Sequence, residues 1–249
     1  MNMLQHYIKL AIRNLLKYKS QSVISIIGLA IGFTCFALST LWIRYELTYD
    51  TFHDGADRIY LIRPESNTTN NGLSEITPYP LAGYLKATFP EIKDACNMQA
   101  WGTTVRYKGT EYRSFKMGID SAAMHMFKLK VTNGNHNFLT ENSEEIAITE
   151  QLARQLFGTE NPLGQEIEIY GQKKRICAVI QSWSRHSNIP YEIVDNFSPG
   201  DNRTEWHASM CQTFIKLKKG VDAQKFIQKL YEHTYETENS IVVKKSVAT

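Results

Sequence analysis

The most constraining feature of this chain is an absence of charge: no charged residue lies between Lys19 and Arg44. The centre of that gap, Val23 to Ile43, reads VISIIGLAIGFTCFALSTLWI, 21 residues interrupted only by the hydroxyls of Ser25, Thr34, Ser39 and Thr40. At ~1.5 Å per residue a helix of this length covers roughly 30 Å, the thickness of a bilayer's hydrocarbon core. Ser and Thr are tolerated there because their hydroxyls bond back to helix carbonyls. Tyr18 stands at one end and Trp42 and Tyr45 at the other, where amphipathic rings favour the membrane interface. The stretch from 20 to 45 therefore reads as a transmembrane helix. A cleaved signal peptide and a buried core helix are the competing readings. Against the first, an apolar signal region runs ~7–15 residues, and the small-x-small tripeptide Ala37-Leu38-Ser39 lies inside the apolar run. Against the second, core helices seldom lack a polar face over such a length.

The flanks give a direction. Residues 1–19 carry Lys9, Arg13, Lys17 and Lys19 and no acid, whereas Arg44 is followed by Glu46, Asp50, Asp54 and Asp57. The positive-inside rule then leaves the N-terminus in the cytoplasm and sends residues 46–249 across the membrane. Within 1–19, Leu4, Ile8, Ala11 or Ile12, and Leu15 recur at helical spacing, while Lys9, Arg13 and Lys17 recur every four residues on another face. Such a helix suits the cytoplasmic leaflet, its apolar side in lipid and its cations toward anionic headgroups. Gly28 and Gly32 form a G-x-x-x-G, which lets a second helix approach closely. The chain's net charge of +3 is too small to argue for nucleic acid. It also comes entirely from the first nineteen residues, since 20–249 hold 24 Lys+Arg against 25 Asp+Glu.

Beyond the span, strand and helix patterns interleave at short spacing, which predicts an α+β domain with a mixed sheet. Arg58 to Arg63 is a short β run ending at Pro64, and Ser66 to Gly72 is a polar loop by composition. Thr77-Pro78 has the form of a cap followed by a first-turn proline, which predicts a helix that continues from Pro80 to Phe89 and stops at Pro90. Val105 to Tyr112 reads as a hairpin turning on Lys108-Gly109. Glu145 to Thr149 reads as a strand whose last residue caps a helix through Leu152, Leu156 and Phe157 to Gly158. Glu166–Tyr170 and Arg175–Gln181 pair about Gly171, Thr213 to Lys218 is a strand, and Asp222 caps a helix running to about Tyr235.

The familiar catalytic signals fail. The nearest glycine pair to a P-loop, Gly158 and Gly164, is followed by Gln165-Glu166 rather than Lys-Ser or Lys-Thr. G-x-S-x-G, C-x-x-C and H-E-x-x-H do not occur. His53, Asp54 and Asp57 cluster, but their setting fits a solvated loop better than a metal site. Ser184 and His186 flank Arg185 without a third partner. No catalytic, cofactor or metal residue is therefore assigned. Cys35 lies in the span; Cys96, Cys177 and Cys211 lie beyond it and cannot all pair within one chain.

Several segments resemble one family. Ala11-Ile-Arg-Asn-Leu-Leu-Lys17, GLAIG at 28–32, Tyr45-Glu-Leu-Thr-Tyr-Asp-Thr-Phe-His53 and Ala56-Asp-Arg-Ile-Tyr60 look like the start of MacB/FtsX-type ABC transporter permeases of the Bacteroidetes-like branch. TPYPLAGYLKATFPEI (77–92), EIAITEQLARQLFGTENPLGQEI (145–167) and AVIQSWSRHSNI (178–189) are similar to that family's periplasmic core domain. The resemblance implies a two-lobed periplasmic domain and a non-catalytic subunit. It also implies a dimeric permease, homo- or heterodimeric, with a cytoplasmic ATPase partner, and in relatives a periplasmic adaptor and an outer-membrane channel for efflux. Family members have four spans or fuse two such units, so the resemblance predicts a fragment of a longer permease or a disrupted gene product. A single-pass anchored binding or sensor domain is the alternative.

Overall fold

In the computed structural model, residues 3–48, 55–65, 72–183, 187, 189–233, 235–237, 240–242 and 246–248 are described. They fall into two compact units, Met1–Tyr49 and Asp50–Thr249. The first unit holds two helices, α1 (Met3–Lys17) and α2 (Lys19–Leu47). They are separated at Tyr18, whose φ of −107° and ψ of 59° leave the helical region. The Ser22 hydroxyl closes this corner by donating to the Leu15 carbonyl at 3.0 Å. Along α2 no residue is buried, and it is long and apolar enough to cross a membrane. The Thr34 and Thr40 hydroxyls donate to the carbonyls of Ala30 and Phe36, four residues back, which removes their polarity from the helix surface.

The second unit is built on one large mixed sheet. Its strands are β1 (Ile59–Pro64), β2 (Thr77–Pro78), β3 (Ile92–Tyr107), β4 (Thr110–Ile119), β5 (Val131–Gly134), β6 (Glu145–Thr149), β7 (Glu166–Ile169), β8 (Gln172–Ile180), β9 (Ile193–Asn196), β10 (Ser209–Leu217) and β13 (Ser246–Ala248). The short pair β11 (Tyr235–Thr237) and β12 (Ser240–Val242) forms a separate ribbon. Four helices join them: α3 (Leu81–Thr88), α4 (Ser121–Met126), α5 (Glu150–Phe157) and α6 (Ala223–Tyr231).

One lobe is the four-strand order β13-β1-β10-β3, in which every neighbour pair is antiparallel. β1 and β3 are thus parallel to each other with β10 between them, joined through α3. β10 and β13 are likewise parallel with β1 between them, joined through α6. Two interlocked β-α-β units of this kind make the ferredoxin-like arrangement. The other lobe, β4 to β9 with α4 and α5, is inserted between β3 and β10, and the 16-residue β3 belongs to both.

Alternation along β3 distributes the core. Ala95 packs with α3 and α6 against Ile62, Leu85, Ile215, Phe226 and Leu230. Ten residues on, and on the same face, Val105 packs with α5 against Ile148, Leu152, Ile176 and Ile193. The opposite face carries Cys96 and Met98 into a third cluster with Met117, Ile119, Val194 and Phe214.

Local signals read from the sequence are present at several joints. The hairpin turns on Lys108 and Gly109, both at positive φ (48° and 81°), with Tyr107 opposite Thr110, the backbone of a two-residue hairpin turn. The Thr149 hydroxyl accepts from the Leu152 N–H at the start of α5, which ends at Gly158. Asp222 accepts from the Gln224 and Lys225 N–H groups at the start of α6.

Two expectations are corrected. Thr77-Pro78 does not open a helix. Thr77 pairs with β10, its hydroxyl donating to the Cys211 carbonyl at 2.9 Å and lying 2.7 Å from the Thr213 hydroxyl, so the capping group is consumed by a buried network. The helix begins at Leu81 behind Pro80, whose φ of −66° is preset for it. The helix capped by Asp222 ends at Tyr231 rather than near Tyr235, which lies in β11. Here His233 turns back, placing its Nε2 2.9 Å from the Tyr84 hydroxyl of α3. The polar loop expected over Ser66–Gly72 lies outside the described residues except for Gly72.

Candidate functional site

In the helical unit, Lys9, Arg13 and Lys17 of α1 are all exposed, and their spacing of four puts them on one side of the helix. Leu4, Ile8 and Ala11 lie on the described helix, but their side chains are outside the described set. On α2, a Cβ placed on Gly28 or Gly32 meets nothing within 4 Å. Among the described residues nothing packs against either position.

In the sheet domain, His53, Asp54, Ser184 and His186 lie outside the described residues. Asp57 is exposed, with its carboxylate 4.0 Å from Arg58 Nε. Among the described residues no group of three or more His, Cys, Asp and Glu side chains is placed to hold a metal ion. The four cysteines are free; Cys96, Cys177 and Cys211 are buried. Burial pushes all three buried thiols up, Cys211 to about 12, so none is a ready thiolate nucleophile.

What the fold assembles instead is a polar strip on one sheet face. Between Ala95 and Val105, β3 alternation puts Asn97, Gln99, Trp101 and Thr103 on the face that carries α3 and α6 at one end and α5 at the other. At its start, Asn97 accepts from the Thr213 hydroxyl at 3.0 Å and donates to the Tyr79 carbonyl at 2.8 Å. The Asn97 N–H donates to Asp120 at 2.8 Å. Asp120 also caps α4, accepting from the Ala123 N–H at 2.7 Å. Burial pushes the Asp120 carboxyl up against the opposing pull of these two donors.

Further along, strand pairing places Lys116 of β4 opposite Trp101 of β3 and Gly118 of β4 opposite Asp195 of β9. There Lys116 Nζ stands 2.5 Å from Asp195 Oδ2 and 5.2 Å from the centroid of the Trp101 ring. The two charged side chains are only 16% and 13% exposed. Desolvation raises the Asp195 pKa, while Lys116 pulls it back down. Asp195 Oδ1 is buried without a hydrogen-bond partner among the described residues. Next along the same face, so are the hydroxyls of Thr103 and its cross-strand neighbour Ser114. Around the ion pair opens a cleft of about 550 Å³, lined also by Gln99, Glu144 and Lys174. No sequence motif pointed to it, because the β3–β4 hairpin supplies Gln99, Trp101 and Lys116 while Glu144, Lys174 and Asp195 come from later and separate parts of the chain.

Comparison with known proteins bears on most of the chain. The MacB-like periplasmic core domain family matches residues 22–232. No curated protein matches. Among solved structures, a domain of a permease protein from Porphyromonas gingivalis superposes with a TM-score of 0.65 at 17% identity, covering 79% of this chain and 92% of that one. The extracellular domain of the noncanonic ABC-type transporter YknZ from Gram-positive bacteria gives 0.53 at 17% identity, covering 68% and 88%. The periplasmic region of MacB from Actinobacillus actinomycetemcomitans gives 0.54 at 14% identity, covering 72% and 82%. At these identities the three structures show the shared fold.

Proposed function

Since the chain belongs to the MacB-like periplasmic core domain family, we propose that it serves as a membrane-anchored, non-catalytic subunit of an ABC transporter permease. The observation that carries this reading is the direct succession of a basic helix, an uncharged span with no buried residue, and a sheet domain of this family. Helix α1 lies on the cytoplasmic leaflet with Lys9, Arg13 and Lys17 toward anionic headgroups. Helix α2 crosses the membrane and offers Gly28 and Gly32 to a helix of a second permease copy. The sheet domain stands on the periplasmic side. A separate cytoplasmic ATPase supplies the driving force, and the periplasmic domain moves in response to export cargo across the envelope.

Two measurements test this. Lys9→Cys and Lys108→Cys report sidedness, because the native thiols lie in the span or are buried. An impermeant maleimide should label position 108 in cells with a permeabilised outer membrane, and position 9 only after lysis of the inner membrane. The reverse pattern overturns the orientation. Purification from native membranes should bring down an ABC ATPase and a permease partner. Recovery of a tightly bound ligand with no ATPase would instead establish an anchored sensor domain.

A further inference from the structure

The cleft around Lys116 and Asp195 has a composition that the packing of the sheet does not explain. A strand face flanked by two helix-covered apolar clusters would ordinarily continue apolar, and a buried ion pair gives no stability advantage over well-packed apolar residues of the same volume. Here the face turns polar for one stretch and holds a cleft of about 550 Å³, within the ~300–1,000 Å³ typical of small-ligand sites. Unlike most such sites it is lined largely by polar side chains, Gln99, Lys116, Glu144, Lys174 and Asp195 among them, which disfavours apolar ligands.

We propose that this cleft binds a neutral saccharide. Three features point to that chemistry. First, the charges balance: Lys116 and Lys174 stand against Asp195 and Glu144, so neither an anion nor a cation is favoured by the field of the site. Second, Asp195 Oδ1 is a buried acceptor with no donor among the described residues. A sugar hydroxyl supplies a donor, and leaving such a group unmet is costly. Lys116 holds the other oxygen at 2.5 Å, so the carboxylate is fixed before the ligand arrives. Third, Trp101 provides an aromatic surface for the C–H face of a pyranose, and the Gln99 amide both donates and accepts, as hydroxyl pairs require. The inference is independent of coupling to an ATPase, because it concerns recognition by the sheet domain alone.

The test uses the full chain in nanodiscs, titrated with maltotriose, cellotriose and triacetylchitotriose, and with trigalacturonic acid as the charged counter-probe. Binding is followed by calorimetry and saturation-transfer NMR. At least one neutral trisaccharide should bind. Trp101→Ala should weaken it by at least about tenfold, and Asp195→Asn by a smaller factor, with thermal unfolding of each variant recorded alongside. If Trp101→Ala fails to fold, Trp101→Phe should fold and still bind more weakly. The proposal is overturned if no neutral trisaccharide binds up to its solubility limit. It is overturned equally if only the acidic probe binds, or if binding survives undiminished in folded Trp101 and Asp195 variants.

Discussion

Helices α2 and α5 are built on opposite rules. Helix α2 has 29 residues, none buried, and its apolar residues surround the axis. Helix α5 has eight residues, and its buried Leu152, Ala153, Leu156 and Phe157 form one stripe against the sheet while Gln151 and Arg154 face water. The short helix is set by its ends, with a Thr149 cap and a Gly158 stop. The long one begins without a side-chain cap and depends on its surroundings. Its Thr34 and Thr40 hydroxyls bond back to their own helix, which removes polar groups that lipid, unlike water, cannot satisfy. Apolar residues thus take opposite roles: in the domain they are the core, and in α2 they are the surface.

The comparison breaks most sharply at phenylalanine. Phe89 is 2% exposed and packs edge-on against Phe226, with ring centroids 5.6 Å apart. Phe33 on α2 is 70% exposed. Phe89→Ala should lower the stability of the sheet domain by about 3–5 kcal/mol, through lost burial and the cavity left behind. Phe33→Ala should leave that transition where it is. Urea unfolding of the full chain in detergent, followed by near-UV circular dichroism, measures both. Equal shifts would mean that α2 packs as a core helix, and the contrast drawn above would fail.

A second substitution sharpens the contrast from the other side. Phe33→Arg places a charge at the middle of α2, where insertion scales assign a cost of roughly 2.5–3.5 kcal/mol. The fraction of chain resisting carbonate extraction should fall, while the chain that does insert keeps a native domain transition. Unchanged extraction together with a destabilised domain would turn the reading around.

The same contrast decides what could be read before the fold was known. Signals confined to neighbouring residues were legible: the uncharged run, the turn at Lys108-Gly109, the caps at Thr149 and Asp222, and the resemblance of short segments to one family. The Thr77-Pro78 signal misled because its hydroxyl has a better partner, Thr213, 136 residues away. The cleft was illegible for a related reason. Trp101 and Lys116 meet across the β3–β4 hairpin, but Asp195 joins them only because β9 runs parallel to β4, and parallel pairing needs a long crossover that leaves no local trace. The split of the sheet into a ferredoxin-like lobe and an insertion is equally non-local, since β3 and β10 are neighbours separated by the whole inserted lobe.

The smallest expected effect compares two ion pairs of similar length. Lys229 Nζ lies 2.6 Å from Glu91, with side chains 51% and 27% exposed, and Lys116 lies 2.5 Å from the more deeply buried Asp195. Their carboxylates shift in opposite directions. The hydrogen bond from Lys229 holds the Glu91 pKa below its ordinary value, whereas desolvation outweighs Lys116 and holds the Asp195 pKa above it. A lowered carboxyl contributes stability above its unfolded pKa and loses it as pH falls through the folded value. A raised carboxyl does the reverse: its ionisation costs stability at neutral pH, and that cost disappears on acidification. Glu91→Gln should therefore lower domain stability at neutral pH by no more than about 1 kcal/mol, the scale of a solvent-screened pair. The gap from wild type should close as pH drops below the ordinary carboxylate range. Unfolding midpoints of the two proteins across that range decide the matter, and a gap that widens with acid would mean that Glu91, like Asp195, is governed by burial rather than by its partner.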